Sequence, residues 1–175
     1  MDEVEPVEHA QEQIHEHAHG TRERWVLGVA LTAALLAGMA AIAASLSGHH
    51  ESECVLDQIK ASDQWSYYQA KGIKEISVAN KCDILEAMGK PAPERSDVER
   101  YRKEKEQIRE KAEELTRESE GHMSQHVTYA RAVTMSQIAI AVAAISVLSK
   151  RPMFWYLSMG FGAAGVFFLT RGLLG

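Results

Sequence analysis

Three long apolar stretches without any Asp, Glu, Lys or Arg interrupt an otherwise charged chain of 175 residues. They cover residues 25–47, 132–149 and 152–170, and only Lys150 and Arg151 separate the last two. Each is close to the roughly 20 residues that a helix needs to cross the ~30 Å hydrocarbon layer of a bilayer. Because only helices and closed barrels satisfy their backbone in that layer, the sequence predicts an all-α protein with three transmembrane helices.

The segment between the first two stretches, residues 48–131, predicts a long antiparallel helical hairpin, which we call the stalk. Its only cluster of helix breakers, one Gly and two Pro, lies within residues 89–96. Ser96 and Glu99 form a capping-box pattern, so the second arm is expected to start near residue 97 and to run toward the second apolar stretch. Two arms of similar length therefore lie side by side outside the membrane.

A thin coiled-coil seam is predicted on the second arm. Tyr101, Ile108 and Leu115 recur every seven residues, which is the spacing of one core position of a coiled coil. Folding the chain about the middle of the turn places Ile76 opposite Ile108. The remainder of this arm is dense in Glu, Lys and Arg and is interpreted as a solvated helix face.

The first arm carries an unusual aromatic cluster. Trp65, Tyr67 and Tyr68 stand within four positions and are followed by Gln69 and Lys71. Because Trp and Tyr combine a large apolar area with a hydrogen-bonding end, these five residues are predicted to form an interface with another subunit. The alternative is that the aromatic rings only fill the space between the two arms of one hairpin.

Several motifs together resemble a known group of proteins. They are the DQWxYYQAK run at residues 63–71, the Gly-His-His at 48–50, the KRPxxWY run at 150–156 and a leader rich in His and Glu. This combination resembles a domain-of-unknown-function family of small bacterial inner-membrane proteins. The resemblance implies the same three-span plan in a bacterial inner membrane, and it brings no activity, cofactor or catalytic residue.

Charge placement predicts the orientation and excludes one class of partner. Arg22 and Arg24 precede the first span and Lys150 and Arg151 form the short turn between the last two, so the N-terminus and this turn are expected in the cytoplasm. The net charge is −5, whereas nucleic-acid binding requires a basic face. The partners expected are the lipid bilayer and other protein subunits, not nucleic acid.

Histidines supply the candidate metal ligands. The acidic leader, residues 1–24, contains His9, His15, His17 and His19, and it is interpreted as a solvated or partner-docking tail rather than a defined site. His122 and His126 share a helix face, and the expected register places them opposite residues 62–63 and 57–58, which include Asp63 and Asp57. His122, His126 and Asp63 therefore form a candidate metal site, with Asp57 as a further candidate ligand. The alternative is an exposed helix without a ligand.

The two cysteines, Cys54 and Cys82, lie too far apart on one arm to form a disulfide with each other. Reduced, partly buried thiols are therefore expected, with a bond to a second chain as the alternative.

No catalytic motif or ionisable group within the spans points to an enzyme or a carrier, and no cofactor is expected. Small residues recur at four-residue spacing in each span, including Gly160 and Ala164, and such ridges favour helix association in lipid. The leading hypothesis is a non-enzymatic structural or accessory membrane protein that forms a homo-oligomer or joins a larger complex. The alternatives are a homo-oligomeric channel, with its pore lined by Thr134, Ser136 and Gln137, and a metal-responsive membrane sensor.

Overall fold

The computed structural model describes residues 5–91 and 95–174, with side chains from Arg24 onward. Within these ranges the chain forms three helices, α1 (Glu5–Ala87), α2 (Ser96–Ser149) and α3 (Pro152–Leu174), and no strand. All three helices are long and apolar enough to cross a membrane. The predicted all-α fold, with three spans and a helical hairpin between the first and second, is confirmed.

Proline placement explains why the helices are so long. All four prolines lie at helix ends or in the connection between α1 and α2, at positions 6, 91, 93 and 152. Proline is tolerated in the first turn of a helix because the N–H that it lacks has no intrahelical partner there. With no proline between residues 6 and 91, α1 continues for 83 residues. The first span and the first arm are therefore one unbroken helix, and Gly48 lies inside it.

A glycine ends α1. Gly89 has a φ of +66°, and the amide of Lys90 donates a 2.9 Å hydrogen bond to the carbonyl of Leu85. This left-handed residue with a bond across five positions is a Schellman-type stop. Beyond it, Arg95 donates hydrogen bonds of 2.7 Å to Asp83 and 3.1 Å to Glu86. Arg95, the residue before α2, thus lies beside the last turns of α1.

The helices divide into two compact units, which we call the spanning unit and the hairpin unit. The spanning unit comprises the residues up to Ser47 and those from Val127 onward, and the hairpin unit is Gly48–His126. α1 and α2 contribute to both units, whereas α3 belongs to the spanning unit.

Small residues form the core of the spanning unit. On α2 the fully buried side chains recur at alternating steps of four and three and are Ala132, Ser136, Ala139, Ala143 and Ser146. On α3 the buried positions are Ser158, Gly162, Gly165 and Gly172. Large apolar side chains such as Leu27, Leu31 and Leu35 point outward. This arrangement suits a lipid environment, where close backbone packing rather than burial of large apolar groups brings helices together.

The two arms of the hairpin unit face each other through a mixed set of apolar and polar residues. On the first arm, one series of buried and half-buried residues recurs at alternating steps of three and four: Cys54, Asp57, Ala61, Gln64, Tyr68, Lys71, Glu75, Val78, Cys82 and Leu85. The half-buried Glu53, Trp65, Gly72 and Ala79 flank this series. One series on the second arm follows the same rule: Val98, Tyr101, Lys105, Ile108, Ala112, Leu115, Ser119, His122 and His126. We call these facing positions the hairpin seam. Ile108 and Leu115 are buried in it, and the seam extends to charged residues such as Lys71 and Glu75.

The predicted register of the two arms is wrong. Ile76 is 61% exposed and does not face the buried Ile108. Instead, Glu75 receives hydrogen bonds from Lys105 at 2.7 Å and Arg102 at 3.3 Å, so the partners lie about one to two turns nearer the start of α2. The physical reason is the level at which α2 begins, because Arg95 lies beside Asp83 rather than beyond the end of α1.

Candidate functional site

Ion pairs replace apolar contacts in the middle of the hairpin seam. Lys71 forms a short ion pair with Glu104, and its ammonium group lies over the rings of Tyr67 and Tyr101 at 5.2 and 5.4 Å. The hydrogen bond from Lys71 lowers the pKa of Glu104. In the same way, the hydrogen bond from Lys105 is the main reason why the pKa of Glu75 is lowered. The carboxylates of this seam are thus held in their charged form.

The aromatic cluster divides between the seam and the surface. Trp65 packs edge-on against Tyr68 at 5.6 Å between ring centroids, and the ammonium group of Lys105 lies 5.6 Å from the Tyr68 ring. Tyr68 and Lys71 therefore contact the second arm of the same chain. Tyr67 and Gln69 are exposed and remain available to a partner.

The outer face of the first arm, opposite the seam, is almost uncharged. Its exposed positions are Val55, Leu56, Ile59, Ser62, Asp63, Ser66, Gln69, Ala70, Ile73, Ile76, Ser77, Asn80, Asp83, Ile84 and Ala87. Only the two aspartates carry charge. The three isoleucines in the C-terminal half of the arm, Ile73, Ile76 and Ile84, are 67%, 61% and 59% exposed. We call this surface the apolar face of the first arm.

Two of the hydroxyl groups on the apolar face already have partners. Ser66 donates a 3.0 Å hydrogen bond to the carbonyl of Ser62, and Ser77 donates a 2.7 Å hydrogen bond to the carbonyl of Ile73. A serine bonded to its own helix in this way can be covered by a second helix without leaving its hydroxyl unsatisfied. These two serines can therefore be buried at little polar cost.

The outer face of the second arm has the opposite character. Its exposed positions are nearly all charged: Glu99, Arg100, Lys103, Glu106, Glu110, Glu113, Glu114, Arg117 and Glu120. Ion pairs join several of them to neighbours along the helix, such as Arg109 with Glu106 at 3.0 Å and with Glu113 at 3.3 Å. These groups are best left in water, because burying unpaired charges is unfavourable. The second arm is thus a solvated face, as its composition predicts.

A histidine pair bridges the two arms at the other end of the hairpin unit. Nδ1 of His50 lies 3.2 Å from Nδ1 of His122, and Nε2 of His122 lies 3.7 Å from a carboxylate oxygen of Asp57. Among the residues whose side chains are described, no group of three or more His, Cys, Asp or Glu is placed to hold a metal ion. The predicted set of His122, His126 and Asp63 is therefore not assembled, because the register brings Asp57 rather than Asp63 to His122.

The remaining candidates from the sequence are the histidines of the leader and the two cysteines. The side chains of His9, His15, His17 and His19 lie outside the described residues. Neither Cys54 nor Cys82 forms a disulfide, and both are buried in the hairpin seam. The Cys54 thiol lies 3.4 Å from the hydroxyl group of Ser119.

A comparison with protein families gives one match. The family described as a domain of unknown function, DUF4337, matches residues 25–175, which include both arms and all three spans. The chain belongs to the DUF4337 family. No curated protein and no solved structure gives a significant match. The DUF4337 match begins after the acidic leader, so the leader lies outside the family domain.

Within the DUF4337 domain, the small residues of α3 divide into two groups. A Cβ added to Gly165 would lie 2.9 Å from the Ser136 hydroxyl oxygen and 3.2 Å from Met39, so Gly165 packs inside the spanning unit. A Cβ added to Gly160 would meet nothing within 4 Å. The predicted interface position Gly160 is thus open on the surface of the spanning unit, while Ala164 is half-buried.

The three polar residues suggested for a DUF4337 pore do not share a face. Ser136 is fully buried, and its hydroxyl group donates a 2.7 Å hydrogen bond to the carbonyl of Ala132. Thr134 and Gln137 are exposed instead. Since residues two positions apart on a helix point in nearly opposite directions, Ser136 and Thr134 cannot line one channel.

Proposed function

We propose that this DUF4337 protein is a non-enzymatic structural or accessory protein of the bacterial inner membrane that self-associates or joins a larger membrane complex. The spans anchor it, and the apolar face of the first arm makes the contact. Gly160 and Ala164 add a small-residue contact within the bilayer. The basic residues Arg24, Lys150 and Arg151 support an N-terminus in the cytoplasm.

One observation carries this proposal: the contrast in charge between the outer faces of the two arms. On the first arm, large apolar side chains point away from the hairpin seam, while the seam itself contains Lys71, Glu75 and Lys105. A solvated hairpin would show the reverse arrangement, with apolar residues inside and charges outside. Exposed apolar surface of this extent is typical of an interaction site.

The length of the apolar face suits a helix-to-helix contact. From Val55 to Ala87 it extends for about 48 Å at ~1.5 Å per residue. Copies anchored in one membrane by the same helix run parallel, so the apolar faces of two first arms can pack side by side. In a parallel pair of helices, a residue at one edge of the contact lies beside the partner residue five positions earlier in the chain. Lys74 and Lys81, at this edge of the apolar face, therefore lie beside the uncharged Gln69 and Ile76 of the neighbouring copy and not beside other lysines.

Replacing two isoleucines tests the proposal. We expect Ile73→Lys combined with Ile84→Lys to convert the purified protein from an assembly into single chains, because four lysines would face each other across a paired arm. The measurement is native mass spectrometry from detergent at ~10 μM protein, with in-membrane crosslinking beside it.

Gln107→Lys is the matched control, because it adds a lysine to the exposed face of the second arm. It should leave the assembly intact. Single chains for the unaltered protein in both measurements, or an unchanged assembly in the double variant, would contradict the proposal.

A further inference from the structure

The histidine pair of the hairpin unit has the geometry of two metal ligands. His50 and His122 come from different arms, and their ring centroids are 5.5 Å apart with an interplanar angle of 30°. Their Nδ1 atoms are separated by 3.2 Å. Two imidazole nitrogens bound to one ion at ~2.0–2.1 Å are about 2.9–3.4 Å apart for angles between square and tetrahedral. The observed separation falls within that range.

Asp57 lies on the Nε2 side of His122. Its side chain is buried, it receives a 2.8 Å hydrogen bond from Lys60, and it lies 3.7 Å from Nε2 of His122. A carboxylate on this side favours the tautomer with the proton on Nε2, which leaves a lone pair on Nδ1. Histidines that bind metals commonly hold their second nitrogen against a carboxylate in this way.

Without an ion, the two Nδ1 atoms share a hydrogen bond, so one ring donates and the other accepts. A neutral imidazole carries its proton on either nitrogen, and the ring with its proton on Nε2 keeps a lone pair on Nδ1. Metal binding therefore requires the donor ring to carry its proton on Nε2 instead, and the ion then replaces the hydrogen bond between the two Nδ1 atoms.

We propose that His50 and His122 bind one divalent transition-metal ion through their Nδ1 atoms, with Asp57 as the positioning residue behind His122. Imidazole ligands suit Zn²⁺, Ni²⁺ and Cu²⁺, and Cu²⁺ is expected to bind most tightly of the three. Water completes the coordination, since the described residues place no third His, Cys, Asp or Glu for ligation. The site does not depend on the proposed self-association, because both ligands belong to one chain.

Metal binding here would clamp the open end of the hairpin. The ligands lie near the two ends of the hairpin unit, Gly48–His126, and are 72 positions apart in the chain. A bridge between them restrains the arms where the seam is polar, beside Asp57 and Ser119. Ligand binding to the folded form alone raises stability by mass action, so the ion should raise the unfolding temperature of the protein.

The experiment is a Zn²⁺ titration of the full-length protein in detergent by isothermal calorimetry. The leader also contains imidazoles, so His9, His15, His17 and His19 are first changed to Gln. In this background we expect one Zn²⁺ per chain. His50→Ala and His122→Ala should each weaken binding by at least about tenfold, and Asp57→Asn should weaken it by about tenfold.

His49→Ala is the matched control, because His49 is an exposed neighbour of His50 on the same helix. It should change the affinity by less than about threefold. Circular dichroism is used to check that each variant remains helical. Electron paramagnetic resonance of bound Cu²⁺ should show two nitrogen ligands, and His50→Ala should reduce this number to one. No Zn²⁺ binding in the background protein, or an affinity unchanged from that background in the His50→Ala and His122→Ala variants, would overturn the assignment.

Discussion

Gly165→Leu is expected to disrupt the packing of α3 in the spanning unit. Gly165 contacts both other helices, since an added Cβ would lie 3.2 Å from Met39 of α1 and 3.4 Å from the carbonyl oxygen of Ala132 in α2. A backbone carbonyl cannot move aside without shifting its helix, and Ser136 is held by its own hydrogen bond. Overpacking of a tight core costs about 1–3 kcal/mol and sometimes more, and we expect about 3 kcal/mol here.

The measurement is unfolding by SDS titration in mixed micelles, followed by the fluorescence of the tryptophans. Trp155 is a suitable reporter because its indole N–H lies 3.4 Å from the Thr32 hydroxyl oxygen within the spanning unit. Gly160→Leu is the control, since a side chain at Gly160 meets open space. An equal shift of the unfolding midpoint in both variants would show that α3 does not pack through Gly165.

Ala112→Asp is expected to separate the arms of the hairpin unit. Ala112 is fully buried in the hairpin seam, between Ile108 and Leu115 along the same helix. An aspartate there places a carboxylate among apolar neighbours. An uncompensated buried charge costs about 3–5 kcal/mol in protein cores, and a hairpin with a partly polar seam has little stability to lose.

Limited proteolysis measures this effect, because separated arms offer sites within residues 48–126 while the spans stay protected by detergent. Gln107→Asp introduces the same residue at an exposed position of the same helix and should leave the cleavage pattern unchanged. If Ala112→Asp resists protease as well as the control does, the seam described here does not hold the arms together.

The main architecture could be predicted from the sequence because it follows from composition and from chain breakers. Three blocks of uncharged apolar residues indicate three spans, and the Gly and Pro cluster near residue 90 indicates the hairpin turn. The continuity of α1 across Gly48 was harder to predict. Glycine in a helix interior costs only about 1 kcal/mol, so a long helix without proline passes through it.

The seam of the first arm could not be predicted from hydrophobic periodicity. Its core positions include Asp57, Gln64, Lys71 and Glu75, whereas the large isoleucines lie on the other side of the helix. A search for apolar residues at heptad spacing therefore finds the exposed face and misses the buried one. The signal that could have identified the seam is charge complementarity, since Lys71 and Glu75 of one arm oppose Glu104 and Lys105 of the other.

The error in register explains the error in the candidate metal site. Counting from the middle of the turn assumes that α1 ends and α2 begins at the same level, but Arg95, just before α2, pairs with Asp83 inside α1. The correct register brings His122 to His50 and Asp57. One residue of the predicted site, His122, thus belongs to the histidine pair. Its partner, His50, could be identified only from the folded structure.

If all three helices cross the membrane, residues 77 and 151, which precede and follow the second span, lie on opposite sides of it. Cysteine labelling with a membrane-impermeant maleimide in sealed right-side-out vesicles tests this arrangement most directly. Single cysteines are introduced at Ser77 and at Arg151 after both native cysteines are changed to Ser. We expect Ser77→Cys to be labelled from outside and Arg151→Cys to be labelled only after the vesicles are opened. Labelling of both positions from the same side would contradict the three-span arrangement.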